Sequence, residues 1–313
     1  MSPPPDDELI FEGPREAAAG QLIRVSPLVR RLIANNPSPF TFTGTCSYLV
    51  GEDEVAIIDP GPLDEAHIEA LLRAANGRRV AHIVVTHTHR DHSPAAARIR
   101  EATGAPILGA RPYQPRPGLA GMLKGLDASH DRAYAPDLVL REGERIEGRG
   151  YTLEAVATPG HAANHLCFAL REENSLFSGD HVMAWSTSIV APPDGSMGDY
   201  MASLEKLRDR DEAIYWPGHG GPVREPRRWT RALAHHRRQR EASILARVEA
   251  GDATVSQIVA RVYENLKPAL VGAASLSTLA HLEDLVARGL VAIEGEPGLS
   301  ARFSPARIST AAR

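Results

Sequence analysis

His87-Thr88-His89-Arg90-Asp91-His92 sets three imidazoles and a carboxylate within six consecutive residues. An apolar run ending at Val85-Thr86 precedes it and reads as a buried strand, while Ser93-Pro94 follows and reads as a helix N-cap and first helical residue. The cluster therefore belongs on one tight strand-to-helix loop. Imidazoles at i and i+2 of such a loop can chelate one cation, and the Asp91-His92 pair faces a neighbouring position for a second. Neutral imidazole nitrogen and carboxylate oxygen are the ligands zinc takes when a coordination position stays open to water. Three further segments carry the same chemistry: Thr158-Pro159-Gly160-His161, Phe177-Ser178-Gly179-Asp180 and Trp216-Pro217-Gly218-His219. Each closes a short apolar segment with a glycine-containing turn and places one metal-binding side chain there.

Bringing four such turns together requires a layered frame, and up to about residue 222 short apolar runs alternate with amphipathic helices. Strands are expected at 40–43, 47–50, 54–59, 151–157, 165–170, 175–178 and 213–216, and helices at 64–75 and 94–103, stopped by Gly77 and Gly104. This interleaving predicts an α/β domain. After Pro222 the character changes. An arginine-laden helix runs from Trp229 to Ala250, and Thr254-Val255-Ser256-Gln257 forms a capping box opening a second helix. A third helix spans Leu276 to Arg288, and Val291-Ala292-Ile293 with Leu299 to Phe303 makes a hairpin. Three helices and a hairpin predict a winged-helix arrangement. The third helix, in the recognition position, carries His281, Glu283, Asp284 and Arg288 but no run of outward Lys or Arg, which argues against duplex DNA reading.

The expected organisation is a mostly disordered segment at 1–19, a catalytic domain at 20–222, a connecting helix at 223–250, a winged-helix-like domain at 251–303 and a tail at 304–313. With 313 residues, 43% of them hydrophobic, the chain can bury a large core, and a net charge of −4 gives no overall nucleic-acid signature. The acidic, proline-rich start lacks the form of a signal peptide and no stretch is expected to span a membrane, so a cytoplasmic location follows. Cys46 and Cys167 read as small buried hydrophobes rather than a disulfide. The oligomeric state is open.

Together the four turn segments resemble the metallo-β-lactamase fold superfamily of dinuclear metallohydrolases. The resemblance implies an αββα sandwich in which His87, His89 and His161 hold one metal, Asp91, His92 and His219 hold the other, and Asp180 bridges them. It implies two zinc ions per chain, with manganese or iron as substitutes, activating a bridging water. It also makes Asp59 the carboxylate that accepts a hydrogen bond behind the ligands. The aspartate at 180 points away from those β-lactamases that use a cysteine ligand. With the winged-helix-like module, the chain resembles the β-lactamase-like protein 2 family, whose best-described member is a single-strand-selective endoribonuclease. The chain departs from that family at Cys46-Ser47, where Asn-Thr is usual, and at Pro94-Ala95, where a glycine pair often follows.

The reaction class is therefore hydrolysis, with single-stranded RNA as the expected anionic substrate. A thioesterase of the glyoxalase II type is the main alternative, followed by a lactonase or weak β-lactamase and by a non-enzymatic partner-binding module. Asp91 is expected to orient the nucleophile. His165 is either a donor to a developing oxyanion or a satisfied core histidine, and His181 stands under the same pair of readings. His67, His82, His130, His235 and His281 read as structural or surface histidines. Arg237 and Arg238 are the candidate phosphate contacts, on a helix whose arginines would flank the cleft.

Overall fold

The computed structural model describes residues 9–11, 13, 18–114 and 129–306; most of the expected disordered segment and the last seven residues of the expected tail lie outside them. Strands rich in Val, Ile and Leu alternate two faces, and in this chain both faces are buried. In β3 (Cys46–Val50), Tyr48 and Val50 point into one apolar core and Leu49 into another. The first sheet has seven strands in sequence order. They are β1 (Ile23–Arg24), β2 (Val29–Ile33), β3, β4 (Glu54–Ile58), β5 (Arg79–Val85), β6 (Ile107–Gly109) and β7 (Leu138–Val139). Pairing is antiparallel as far as β4 and parallel from β4 onward.

The second sheet joins β8 (Arg145–Gly148), β9 (Tyr151–Ala157), β10 (Leu166–Leu170) and β11 (Ser175–Gly179) as a meander, with β12 (Ile214–Pro217) parallel to β11 at its edge. Tyr48, Ile58 and Val84 from one sheet pack against Leu153, Phe168, Phe177 and Trp216 from the other. Helices α1 (Glu65–Ala74) and α2 (Ala96–Thr103) cover the outer face of the first sheet through Ile68, Leu71 and Ile99. Helices α3 (Met197–Arg208) and α4 (Pro226–Glu249) cover the second through Tyr200, Leu204 and Leu233. The result is the four-layered αββα sandwich.

The last module comprises α5 (Val255–Val262), α6 (Val271–Ala287), β13 (Val291–Glu294) and β14 (Arg302–Pro305). Thr254 and Gln257 form the expected capping box reciprocally. Helix α4 belongs to two cores: Trp229 and Leu233 lie over the second sheet, while Ile244 and Val248 join Ile258, Leu282, Leu285 and Phe303. Each such fully buried aliphatic side chain contributes roughly 1.5–3 kcal/mol, so the connecting helix couples the two domains.

Several expectations are corrected. Residues 40–43 form a turn, because Ser38 Oγ accepts from the amides of Phe40 and Thr41 and closes the chain locally instead of leaving it to pair. Ser93 does not cap α2; its hydroxyl donates to Asp131, and the helix starts at Ala96. Helix α6 starts at Val271 rather than Leu276. The stretch Pro268–Ala287 is, by length and composition alone, apolar enough to cross a membrane; half of it is buried within the fold, as in a core helix.

Candidate metal centre

Each ligand-bearing turn starts where a core strand stops: β5 leads into Thr86–His92, β9 into Thr158–His161, β11 into Asp180 and β12 into Gly218-His219. Backbone bonds lock these ends together, with Leu166 N donating to Thr86 O at 2.8 Å and Cys46 N to Gly218 O at 2.7 Å. Two glycines are steric requirements. A Cβ on Gly218 would lie 2.4 Å from Asp180 Oδ1 and 2.7 Å from His92 Cε1. Gly160 has φ +139°, and a Cβ there would meet the Tyr200 backbone at 2.3 Å.

The outer nitrogens of four histidines are tied to oxygen. His92 Nδ1–H donates to Asp59 Oδ2 at 2.9 Å, His161 Nδ1–H to Ile189 O at 2.6 Å, and His219 Nδ1–H to Gly44 O at 3.3 Å. Thr86 Oγ1 donates to Asp59 Oδ2 at 2.8 Å and so accepts from His87 Nδ1–H at 2.9 Å. These tautomers follow from the hydrogen-bond network. They leave the inner Nε2 lone pairs converging. His87 Nε2 and His161 Nε2 approach His89 Nδ1 at 2.9 and 3.0 Å. On the other side, Asp91 Oδ2 lies 3.4 Å from His92 Nε2 and 3.2 Å from His219 Nε2. Asp180 lies between the two groups, with Oδ2 3.6 Å from His161 Nε2 and 3.3 Å from His219 Nε2.

This donor set fits divalent cations. His92 Nε2 and Asp180 Oδ1 are buried without a hydrogen-bond partner, and converging lone pairs repel one another unless a positive charge lies between them. Burial holds the His87 and His89 imidazoles well below the usual range, hence neutral and able to ligate. Burial opposes ionisation of Asp91 and Asp180, yet His92 and His219 hold both carboxyls well below the usual range. His219 is lowered by burial but raised more by Asp180, ending at about 10. A field strong enough to keep a proton on a buried imidazole equally favours a metal ion.

Asp59 is buried at φ +48° where β4 ends. Its Oδ1 also accepts from Thr86 N at 2.8 Å, so a single carboxylate orients the loop and His92.

Three expected contacts are corrected. His165 cannot donate to substrate. Its Nε2 accepts from the Asp180 amide at 3.2 Å, its Nδ1 meets Thr158 Oγ1 at 2.8 Å, and it is buried away from the cleft. It is a core histidine that holds the backbone of Asp180. His181 is likewise buried, its ring 4.6 Å from that of Tyr200. Arg237 does border the cleft, as does Arg240, but it is 3% exposed and committed within the fold: it donates to Ser188 O and to Ser277 Oγ, and it lies over the Tyr200 ring. Arg238 turns to Glu205 at 2.9 Å on the surface, outside the cleft.

A cavity of about 870 Å³ opens from His89, Asp91, His161, Asp180 and His219. Phe40, Met183, Trp185 and Ile189 line it, as do Leu266, Leu270, Ala273 and Leu276 from the winged-helix module. His130, expected to be structural or on the surface, is on this wall, 4.8 Å from the His89 ring, stacked on Tyr113 and 3.6 Å from Asp194. A lone histidine outside any motif carries no signal of that placement.

Residues 40–219 match the family model described as the metallo-beta-lactamase superfamily, and residues 254–299 match the beta-lactamase associated winged helix domain. The chain is 34% identical to "Lactamase-like protein adaB" of Aspergillus niger over 72% of its own length, spanning 65% of that relative. It is 32% identical to "Atrochrysone carboxyl ACP thioesterase AgnL7" of Paecilomyces divaricatus, over 77% of this chain and 71% of the other. A "Beta-lactamase-like protein 2 homolog" of Caenorhabditis elegans is 31% identical over 71% of each chain. Among solved structures, a metallo-beta-lactamase family protein of Thermus thermophilus superposes with a TM-score of 0.74 at 26% identity, covering 90% of this chain and 100% of that one. The chain belongs to the metallo-beta-lactamase superfamily and carries that superfamily's associated winged helix domain after its αββα sandwich.

Proposed function

We propose that this protein is a zinc-dependent hydrolase that cleaves acyl thioesters. The observation that carries the reading is the cavity wall: the space opening from the ligand cluster is bordered by aromatic and aliphatic side chains from both domains, suited to an acyl group. The thioesterase name of one relative agrees with it. Polyanion binding loses its main support, since Arg237 is committed to Ser188 and Ser277, and Arg240 donates to Val262 O at 2.9 Å and lies over Tyr263. Arg90 is exposed on the cavity wall with no side-chain hydrogen bond among the described residues, and it suits an anionic group on the thiol half of the substrate. We place the protein in the cytoplasm, where its two free cysteines, both buried, would stay reduced.

His87, His89 and His161 would hold one cation, Asp91, His92 and His219 a second, and Asp180 would contact both. Bound divalent cations supply Lewis acidity, making water a competent nucleophile near neutral pH and polarising the carbonyl under attack. The Asp91 carboxylate is 27% exposed toward the cavity and steadied by Thr45 Oγ1, which donates to Oδ2 at 3.3 Å. It accepts a hydrogen bond from the attacking water and orients it. Apolar walls exclude competing water and hold the acyl group, and hydrolysis yields a carboxylic acid and a thiol. The test is zinc-loaded protein against decanoyl thioesters, single-stranded RNA, a lactone and a chromogenic cephalosporin. Thiol release that dominates the panel is expected; RNA cleavage without thioester turnover overturns the reading.

A further inference from the structure

The winged-helix module, named for a fold that in other settings grips nucleic acid, has its recognition helix engaged within this chain. Helix α6 packs on α3 closely enough that a Cβ at Gly198 would lie 2.8 Å from Asp284 Oδ1. Ser277, on the second turn of α6, accepts a hydrogen bond from the buried Arg237 of α4. Arg237 also donates to the carbonyl of Ser188, next to Ile189, whose carbonyl accepts from His161. A chain of three contacts therefore runs from a metal-ligating imidazole to α6.

What α6 and the turn before it present to the cavity is mostly apolar: Leu266, Leu270, Ala273 and Leu276 lie on the wall of the space that also contains His161 and Asp180, and the one hydroxyl there, Ser277, is taken up by Arg237. Leu266, Leu270 and Ala273 are only partly buried, so these side chains have apolar surface left uncovered within the fold. Of the polar side chains that α4 brings to this part of the wall, Arg237 is engaged with Ser188 and Ser277. Arg240 closes the end of α5 through Val262 O, and burial, aided by Arg237 and Arg240, lowers His236 to about 4.

We propose that the segment from Leu266 to Leu276 is the specificity wall of an acyl chamber, so that the winged-helix module sets which acyl lengths the metal centre hydrolyses. The inference rests on the thioesterase reading and deepens it. An acyl chain whose carbonyl reaches Asp91 and Asp180 places its tail against side chains contributed by a different domain. The occupant is the aliphatic or aromatic tail of a thioester with a drug-sized acyl group, matching a cavity of about 870 Å³.

Each methylene moved from water onto an apolar wall adds about fourfold to kcat/KM until the chamber is full. The experiment is a series of straight-chain acyl thioesters from acetyl to tetradecanoyl, assayed by thiol release with zinc-loaded full-length protein. Ala273→Phe shortens the chamber, and the ratio of kcat/KM for decanoyl over butanoyl should fall at least tenfold; Leu270→Ala deepens it, and the optimum should move to longer chains. Quenching of intrinsic tryptophan fluorescence by decanoate, with Trp185 on the cavity wall, gives a second readout without metal, and Ala273→Phe should weaken that binding by a similar factor. Thioester turnover with a flat length profile, or one that neither variant moves, overturns the specificity wall while leaving the thioesterase reading intact. No turnover at any length overturns both.

Discussion

Asp59→Asn tests whether one buried carboxylate sets a ligand's tautomer from behind. In the native chain Oδ1 accepts from the Thr86 amide at 2.8 Å, and Oδ2 accepts from the Thr86 hydroxyl at 2.8 Å and from His92 Nδ1–H at 2.9 Å. An asparagine can keep the amide contact with its oxygen, but it then turns an N–H₂ donor toward Thr86 Oγ1 and His92. The threonine hydroxyl rotates to accept. The imidazole can accept only by moving its proton to Nε2, the atom that faces Asp91 and Asp180 at 3.4 and 3.5 Å. A lone pair is thereby removed from the group formed by Asp91, His92 and His219, while His87, His89 and His161 keep theirs. Loss of such outer support costs about 10–100-fold in metal affinity, equivalent to about 1.4–2.8 kcal/mol. Titration of metal-free protein with zinc against a chromophoric chelator should show one equivalent near wild-type affinity and the other weakened by that factor, with the thermal midpoint reporting that the fold persists. Both equivalents within twofold of wild type refute the tautomer argument. Equal weakening of both refutes the placing of His92 in the second group.

Gly218→Ala puts a methyl 2.4 Å from Asp180 Oδ1 and 2.7 Å from His92 Cε1, so elemental analysis should find fewer bound equivalents and turnover should fall roughly 100-fold or more. Arg237→Ala leaves Ser188 O and Ser277 Oγ without their donor inside the fold and should cost about 2–4 kcal/mol, read as a lower urea midpoint. Arg238→Ala, which removes only an exposed pair with Glu205, should cost less than about 1 kcal/mol. Burial lowers His281 to about 3, with Arg237 and Arg240 contributing, and burial lowers His67 to about 4, from an ordinary value of 6.5. Because the unfolded chain binds protons that the folded chain refuses, this part of the stability is complete above about pH 6.5 and declines at up to about 1.4 kcal/mol per pH unit for each histidine as pH falls toward the folded values. Guanidinium midpoints measured from about pH 8 to 5 should follow that course, and His281→Leu should reduce the slope.

The histidines and aspartates that cluster at the candidate metal centre were legible because their information is local: each side chain sits within a few residues of a strand end and a turn that the strand leads into, and short-range spacing survives in a sequence. What failed was direction. Nothing in the string distinguishes a histidine whose ring faces the cleft from one whose Nε2 accepts from the Asp180 amide, which is why His165 read ambiguously and His130 read as structural or surface. Arg237 read as a phosphate contact because α4 looks like a one-sided, arginine-laden helix; in fact the helix is packed along two cores, and the Arg237 guanidinium is spent on Ser188 and Ser277. The short strands β1, β6 and β7, of two or three residues each, were missed because alternation cannot show in so few positions, and their pairing is imposed by neighbours. Residues 40–43 erred the other way, as an alternating pattern overruled by one serine hydroxyl.

The two halves of the chemistry therefore sit under different constraints. The ligand cluster is built from turns that tolerate almost no change, since a single added methyl at Gly218 collides with a carboxylate and an imidazole, and four tautomers depend on fixed oxygen acceptors. The cavity wall comes from loops and from a second domain, where Leu266, Leu270 and Ala273 are held by no hydrogen bond to the cluster and can be exchanged for side chains of other sizes without touching a ligand. If the proposed specificity wall is right, substitution there alters fit, not reactivity. On the proposed reading, a hydrolytic centre of fixed geometry acquires a new substrate range through changes in a module more than 40 residues further along the chain than His219, the last residue of the candidate cluster. The cost is a dependence on the joint between domains: α4 must hold both cores, and Arg237 must bridge α4, the Ser188 loop and α6, for the wall to stand where the proposed acyl substrate would need it.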